Sequence, residues 1–178
     1  MSLFLANLLT GLTLVAIGGA LFSGNAAVAS ALRAFPRSQR ATWVLFGTAT
    51  IWFLYRVLHL SPADFGEYRV ALFTGFAAVA VFSFWCVPDF LAVRGLAALV
   101  LLAAMPLLEA GYMNYQPSVY PLKIFVFLCI ALAIWLGASP YRMRDFFEWL
   151  YGAPKRARLL GGALLGCGVL FGIIAVAG

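Results

Sequence analysis

The sequence predicts an all-α integral membrane protein with six transmembrane helices. The 178 residues are 65% apolar and only 10% charged, whereas soluble domains are typically about 45–50% apolar and about 25% charged. The apolar residues also form runs of about 20, the length that crosses the hydrocarbon of a bilayer. Within runs such as 96–108 and 124–136 the apolar residues are consecutive, unlike the alternating strands of a membrane barrel. Soluble, disordered, collagen-like and disulfide-scaffold proteins are therefore excluded.

Six runs meet the length requirement. Because backbone amides find no water partner in hydrocarbon, each run is expected to be helical. No linker or change of composition divides the chain, so we expect a single polytopic membrane domain covering residues 1–178. The predicted spans are 3–22, 42–60, 69–87, 90–110, 120–138 and 158–178.

The first run also resembles a secretory signal, because small residues at 27–31 follow it in the pattern of a cleavage site. The segment Met1-Ser2-Leu3 that precedes it carries no Lys or Arg, unlike the start of most signals. We therefore expect the first run to be a retained span.

Basic residues indicate the orientation of the chain. The loops after spans one, three and five, with their edges, carry nine of the twelve Lys and Arg residues and three of the six acids. Cytoplasmic loops attract Lys and Arg, so these loops are expected in the cytoplasm and both termini outside it. This pattern is typical of a bacterial-type inner (plasma) membrane protein. It explains the basic pI by topology and contact with anionic lipid, and predicts no nucleic-acid partner.

The last cytoplasmic loop contains an amphipathic segment over about 140–151. Ser139 and Pro140 resemble a helix start, Gly152 resembles a stop, and apolar residues recur between them at three- and four-residue spacing. We predict a short helix in the headgroup plane, although a cytoplasmic extension of span five is an alternative. The predicted membrane-interface anchors are Phe146, Phe147, Trp149 and Tyr151.

Span six is rich in glycine at four-residue spacing, which lets two helices approach closely in lipid. Whether the partner helix belongs to this chain or to another protein stays open. The predicted helix-packing residues are Gly161, Gly162, Gly166, Gly168 and Gly172.

Polar and charged residues collect near the outer ends of spans two to five. His59 is the one candidate ligand for a cofactor such as haem, and the alternative is an interfacial histidine beside a snorkelling Arg56. Glu109 is either half of an ion pair with Lys123 or a substrate or proton site. The predicted polar cluster comprises Arg56, His59, Asp64, Glu67, Arg69, Glu109 and Lys123.

The sequence contains no catalytic or metal-binding motif. Cys86, Cys129 and Cys167 are widely separated in or beside apolar runs and are interpreted as packing residues. Bound lipid is expected, while pigment, quinone and haem stay open as cofactors.

The composition of the spans indicates the kind of function. Their central portions carry no charge, and the chain has 16 Phe, 5 Trp and 7 Tyr, more than a lipid-facing belt requires. We predict an accessory or scaffolding subunit of a larger membrane complex, and not an enzyme. The alternative is a small homo-oligomeric transporter or channel with a path near Glu109, Arg56 and His59.

Overall fold

The computed structural model describes residues 1–86 and 89–177, and within these ranges it contains helices and turns but no strand. Six helices in the described ranges are long and apolar enough to cross a membrane, which confirms the predicted all-α class and the number of spans. The helices are α1 (Leu3–Phe22), α2 (Ala26–Ala34), α3 (Gln39–Leu58), α4 (Arg69–Cys86), α5 (Leu91–Ala110), α6 (Val119–Ala138), α7 (Tyr141–Tyr151) and α8 (Pro154–Ala177).

Helix boundaries follow local chemistry. The helix α3 begins three residues before the predicted span, because the Ser38 hydroxyl accepts a hydrogen bond from the Ala41 amide and caps it. The helix α5 begins at Leu91 because Phe90 has a left-handed backbone, with φ of 60°. Proline at the start of a helix costs no internal hydrogen bond, and α8 begins at Pro154. The predicted span ends at Val87 and Gly178 lie outside the described residues.

The first and last helices, α1 and α8, form the most extensive contact. A Cβ atom built on Gly11 would lie 2.8 Å from the carbonyl oxygen of Gly168, and one on Gly18 would lie 2.8 Å from that of Gly161. Backbone therefore meets backbone at two levels, with no room for a side chain. The order of the contacts is reversed along the two helices, so they are antiparallel.

The contacting glycines are seven residues apart in each helix. Seven residues make two turns of a slightly underwound helix, so this spacing keeps one face toward an antiparallel neighbour and favours a shallow, left-handed crossing. In lipid, where apolar burial between helices gives little driving force, such close approach is a main source of association energy. The glycine contact therefore lies within this chain.

The helices α5 and α6 pack against this pair. One core cluster joins all four helices and consists of small and branched residues around one aromatic ring, and Phe125 of α6 meets that ring edge to face at 5.5 Å. The cluster comprises Ala6, Leu14, Ala104, Leu122, Val126 and Phe171.

The helix α3 contains a wide turn of π-helix at Thr42–Phe46, where it crosses α5. Gly95 of α5 fits against this turn: a Cβ atom there would lie 2.7 Å from the Cα of Phe46. The crossing therefore requires glycine at position 95. The helix α4 in turn packs mainly against α3.

We call one end of the bundle the basic end: it holds the end of α1, the helices α2 and α7, and the start of α8. A second core cluster lies here, in which Phe147 and Leu150 of α7 pack against Leu21 of α1 and Ala157 of α8. The apolar face of α7 is thus anchored to the glycine-packed pair.

Gly168→Ala is expected to lower the free energy of unfolding by about 1–3 kcal/mol, because the new methyl group would overlap the Gly11 carbonyl and the Val15 backbone. Gly166→Ala is the matched control in the same helix, since a Cβ atom there meets nothing within 4 Å. The control should be neutral or stabilising through helix propensity. Thermal unfolding in detergent measures both, and equal effects would contradict the assigned contact.

Candidate functional site

The predicted polar cluster lies at the end of the bundle opposite the basic end, and no ion pair joins its members. Among the described residues, ion pairs involve only Arg144 with Asp145 and Glu148 in α7. The seven cluster residues therefore lie near one end of the spans without a shared electrostatic contact. Each is held by a different local interaction or extends from the surface.

His59 closes α3 beside an aromatic ring. Its Nδ1 donates a hydrogen bond to the Tyr55 carbonyl oxygen at 2.8 Å, and the two rings lie 4.3 Å apart between centroids. Because a carbonyl oxygen only accepts, Nδ1 carries a proton, and Nε2 is left as the nitrogen that can bind a ligand. His59 is exposed, so such a ligand would come from the membrane boundary or from a partner.

A tight turn follows α3 and fixes Asp64. The Ser61 hydroxyl donates to Asp64 Oδ2 at 2.8 Å, Phe65 has a left-handed φ of 64°, and a Cβ atom on Gly66 would lie 2.6 Å from the Ser61 carbonyl oxygen. The Asp64 carboxylate thus bonds within its own turn. Glu67 and Arg69, just beyond, are exposed.

Glu109 lines a cleft of about 410 Å³ on the side of α5. Met105 is another wall of this cleft, and its sulfur contacts the Arg56 guanidinium of α3. Arg56 is therefore linked to the cleft only through Met105, and among the described residues it forms no ion pair with Glu109. Lys123 lies at the start of α6, where its side chain packs close to Gly111.

The predicted interface anchors divide between two faces of α7. Phe146 and Trp149 are exposed, and their rings stack at 6.2 Å. Phe147 instead packs inward in the second core cluster, and Tyr151 is half-buried. The exposed face of α7 thus presents two of the four predicted anchors.

Two arginines from neighbouring elements cap the C-terminal end of α7. Arg33 Nη2 donates to the Tyr151 carbonyl oxygen at 3.1 Å, and Arg156 Nη1 donates to the Trp149 carbonyl oxygen at 3.0 Å. Their guanidinium groups also lie over the rings of the same residues, at 5.5 and 4.8 Å from the centroids. Cations at a helix C-terminus satisfy free carbonyls and oppose the helix dipole.

Of the predicted packing glycines, Gly161 and Gly168 make the closest backbone contacts with α1, and the backbone nitrogen of Gly172 lies 3.2 Å from the Cβ position of Gly11. Gly162 touches only the Phe22 ring, at 3.9 Å from a Cβ position, and Cβ positions on Gly166 and Gly172 meet nothing within 4 Å. The four-residue pattern in the sequence therefore contains the contact residues, while the contact itself uses a seven-residue period.

Asn7 is a buried polar residue that the sequence analysis did not predict as a site. It is 1% exposed within α1, and its Oδ1 has no hydrogen-bond partner among the described residues. It shares a helical face with Gly11 and Gly18 and is the one side-chain amide in the six predicted spans. A search for amides as well as charges in the spans would have found it.

The described residues contain no group of three or more His, Cys, Asp or Glu placed to hold a metal ion. No protein-family model matches the chain, and comparisons with curated proteins and with solved structures find no match.

Asn7→Leu is expected to raise the free energy of unfolding by about 1–3 kcal/mol, because a buried acceptor without a partner carries an unrecovered desolvation cost. Leucine has the same number and branching of side-chain heavy atoms and no polar atom. The reverse change at another buried position of the same face, Leu14→Asn, should lower stability. Thermal unfolding in detergent measures both, and a less stable Asn7→Leu variant would show that the amide has a partner in the native protein.

Proposed function

We propose that this protein is an accessory or scaffolding subunit of a larger membrane complex in a bacterial-type inner membrane. Both termini lie on the extracytoplasmic side, and α7 lies in the headgroup plane of the cytoplasmic leaflet. Its exposed Phe146 and Trp149 suit that plane, where aromatic rings are enriched. Nine of the twelve Lys and Arg residues lie on this same cytoplasmic side.

The observation that carries the proposal is the exposure of α4. None of its 18 residues is buried within the protein, whereas seven of the 20 residues of α1 are. The helix α1 is thus part of the core of the protein, whereas α4 lies on the outside and packs mainly against α3.

The exposed face of α4 has the composition of a helix contact. Ala71, Gly75 and Ala78 are all exposed and follow one another at four- and three-residue spacing, so they form one stripe along the helix. Small residues at this spacing admit a second helix closely, which lipid alone does not require. Phe82 continues the same face and is 61% exposed. The proposed docking face for a partner subunit is this stripe of α4.

Gly75→Leu tests the docking face. A Cβ atom on Gly75 meets nothing within 4 Å in the protein, so the variant should fold normally while its side chain holds a partner helix away. The expected result is loss of the partner, measured as the native mass of the untagged protein extracted from its own membrane in mild detergent.

Gly166→Leu on α8 is the matched control, because its Cβ position is equally open. It should leave the mass of the complex unchanged. Loss of the partner in Gly166→Leu but not in Gly75→Leu would show that the partner does not dock on the stripe of α4. Wild-type protein found only as a monomer or homodimer would contradict the subunit proposal.

A homo-oligomeric transporter or channel is the second candidate, and the cleft beside Glu109 favours it. An ionisable group that lines a cleft near the membrane boundary, with Arg56 contacting the cleft residue Met105, is an arrangement that can receive a polar solute or a proton.

If this second candidate is correct, Glu109→Gln and His59→Ala should each reduce solute uptake or growth about tenfold or more in cells that depend on the protein. Both changes remove a titratable group from an exposed position, so folding should be preserved. Glu67→Gln is the control, because Glu67 is an exposed carboxylate outside the cleft. Unchanged uptake in the first two variants would remove these residues from any transport path.

A further inference from the structure

A cleft at the basic end lies between three helices and is lined by two arginines. It has a volume of about 320 Å³ and lies where the α1–α2 connection, the end of α7 and the first turns of α8 meet. Its walls include Gly24, Arg33, Tyr151 and Arg158. The cleft is separate from the polar residues at the other end of the bundle.

The electrostatics of this cleft favour an anion. None of the eight residues that line it is acidic, and the carboxylates of Asp145 and Glu148 are engaged by Arg144. The N-terminus of α2, a nine-residue helix capped by Asn25, also borders the cleft through Ala26. A helix N-terminus adds partial positive charge to that of the two arginines.

Arg33 is held by two contacts with Tyr151, whereas Arg158 is exposed and, among the described residues, has a free guanidinium. Arg33 is held over the Tyr151 ring and donates one hydrogen bond to the Tyr151 carbonyl oxygen, which leaves further N–H groups for a ligand. Arg158 lies against the α1–α2 connection at Gly24, where its guanidinium is 3.5 Å from the Cβ position and the φ of +62° favours glycine. Arg158 has no ion-pair or hydrogen-bond partner in the described part of the chain.

The wall of the cleft also holds an unsatisfied donor. The Tyr151 hydroxyl oxygen is buried and has no hydrogen-bond partner among the described residues. Burial raises the pKa of this hydroxyl, an effect that the charge of Arg33 partly opposes, so the group stays protonated at neutral pH. Tyr151 therefore contributes no negative charge to the wall of the cleft.

We propose that Arg33 and Arg158 form a binding site for a phosphate group in this cleft. Guanidinium groups match the oxygens of a phosphate in geometry and charge. The site lies where α1 ends and α8 begins, at the membrane boundary of two spans. The headgroup of an anionic phospholipid and a soluble phosphate both offer this chemistry. The proposal does not depend on whether the protein is a subunit of a complex.

Binding of two probes to the purified full-length protein in detergent tests the site. The first probe is phosphatidylglycerol, compared with phosphatidylcholine by native mass measurement, and the second is inorganic phosphate, measured by titration calorimetry. Arg158→Gln should weaken binding of the productive probe about tenfold or more, because it removes charge-assisted hydrogen bonds. Arg33→Gln should act in the same direction.

Arg40→Gln is the matched control, since it removes the same charge from an exposed arginine that does not line the cleft. It should leave the affinity within about twofold of wild type. Thermal unfolding checks that each variant folds. Arg158→Lys, which keeps the charge and loses the planar fork, replaces Arg158→Gln if that variant is unstable, and should weaken binding severalfold.

If inorganic phosphate binds and Arg158→Gln weakens that binding, the result would support the site and show that a soluble phosphate is a sufficient ligand. Arg158-dependent binding of phosphatidylglycerol alone would support it with a lipid headgroup as the ligand. Equal weakening by Arg40→Gln and Arg158→Gln would overturn the proposal in favour of diffuse charge attraction. Absence of wild-type binding to both probes would overturn it as well.

Discussion

The antiparallel contact of α1 with α8 is the interaction on which the other packing depends. Glycine pairs at two levels let the backbones touch, Gly11 with Gly168 and Gly18 with Gly161. This contact joins α1 to α8, and α5 and α6 pack against the pair in one core cluster. In a bilayer, where lipid is as apolar as leucine, dispersion across closely approaching backbones takes over much of the role that hydrophobic burial has in water.

The basic end is organised by the same pair of helices. Leu21 at the end of α1 and Ala157 at the start of α8 provide the apolar surface on which α7 lies. Arg33 and Arg156 then satisfy carbonyl oxygens at the end of α7. These arginines therefore have structural roles as well as a place in the charge asymmetry of the chain. The phosphate site proposed above depends on this arrangement, because Arg33 is fixed by the residues that terminate α7.

The opposite end has a different character. Its charged and polar side chains bond within their own turns, contact a single neighbouring residue as Arg56 does, or extend from the surface. Its helices α3 and α4 are also less covered than α1 and α5. The basic end and the α1–α8 pair are thus well packed within the chain, whereas the side formed by α3 and α4 is largely exposed. The subunit proposal rests on that contrast, and the transporter alternative rests on the cleft beside Glu109.

The sequence by itself determined the class, the six spans and their approximate bounds. Long apolar runs have one secondary structure available in hydrocarbon, so length and composition sufficed. Local signals also located α7, because its helix start and its three- and four-residue periodicity lie within a dozen neighbouring residues.

Only the tertiary structure decided which faces meet. Gly161, Gly166 and Gly172 are alike in sequence, yet only Gly161 has a Cβ position that overlaps the backbone of α1. Gly172 brings its backbone nitrogen to 3.2 Å from the Cβ position of Gly11, and nothing lies within 4 Å of the Cβ position on Gly166. The burial of Asn7, the inward face of Phe147 and the placement of Arg33 and Arg158 around one cleft likewise depend on contacts between residues far apart in the chain. A periodic pattern indicates that a helix has a packing face, but the shape of the neighbouring helix selects the residues that are used.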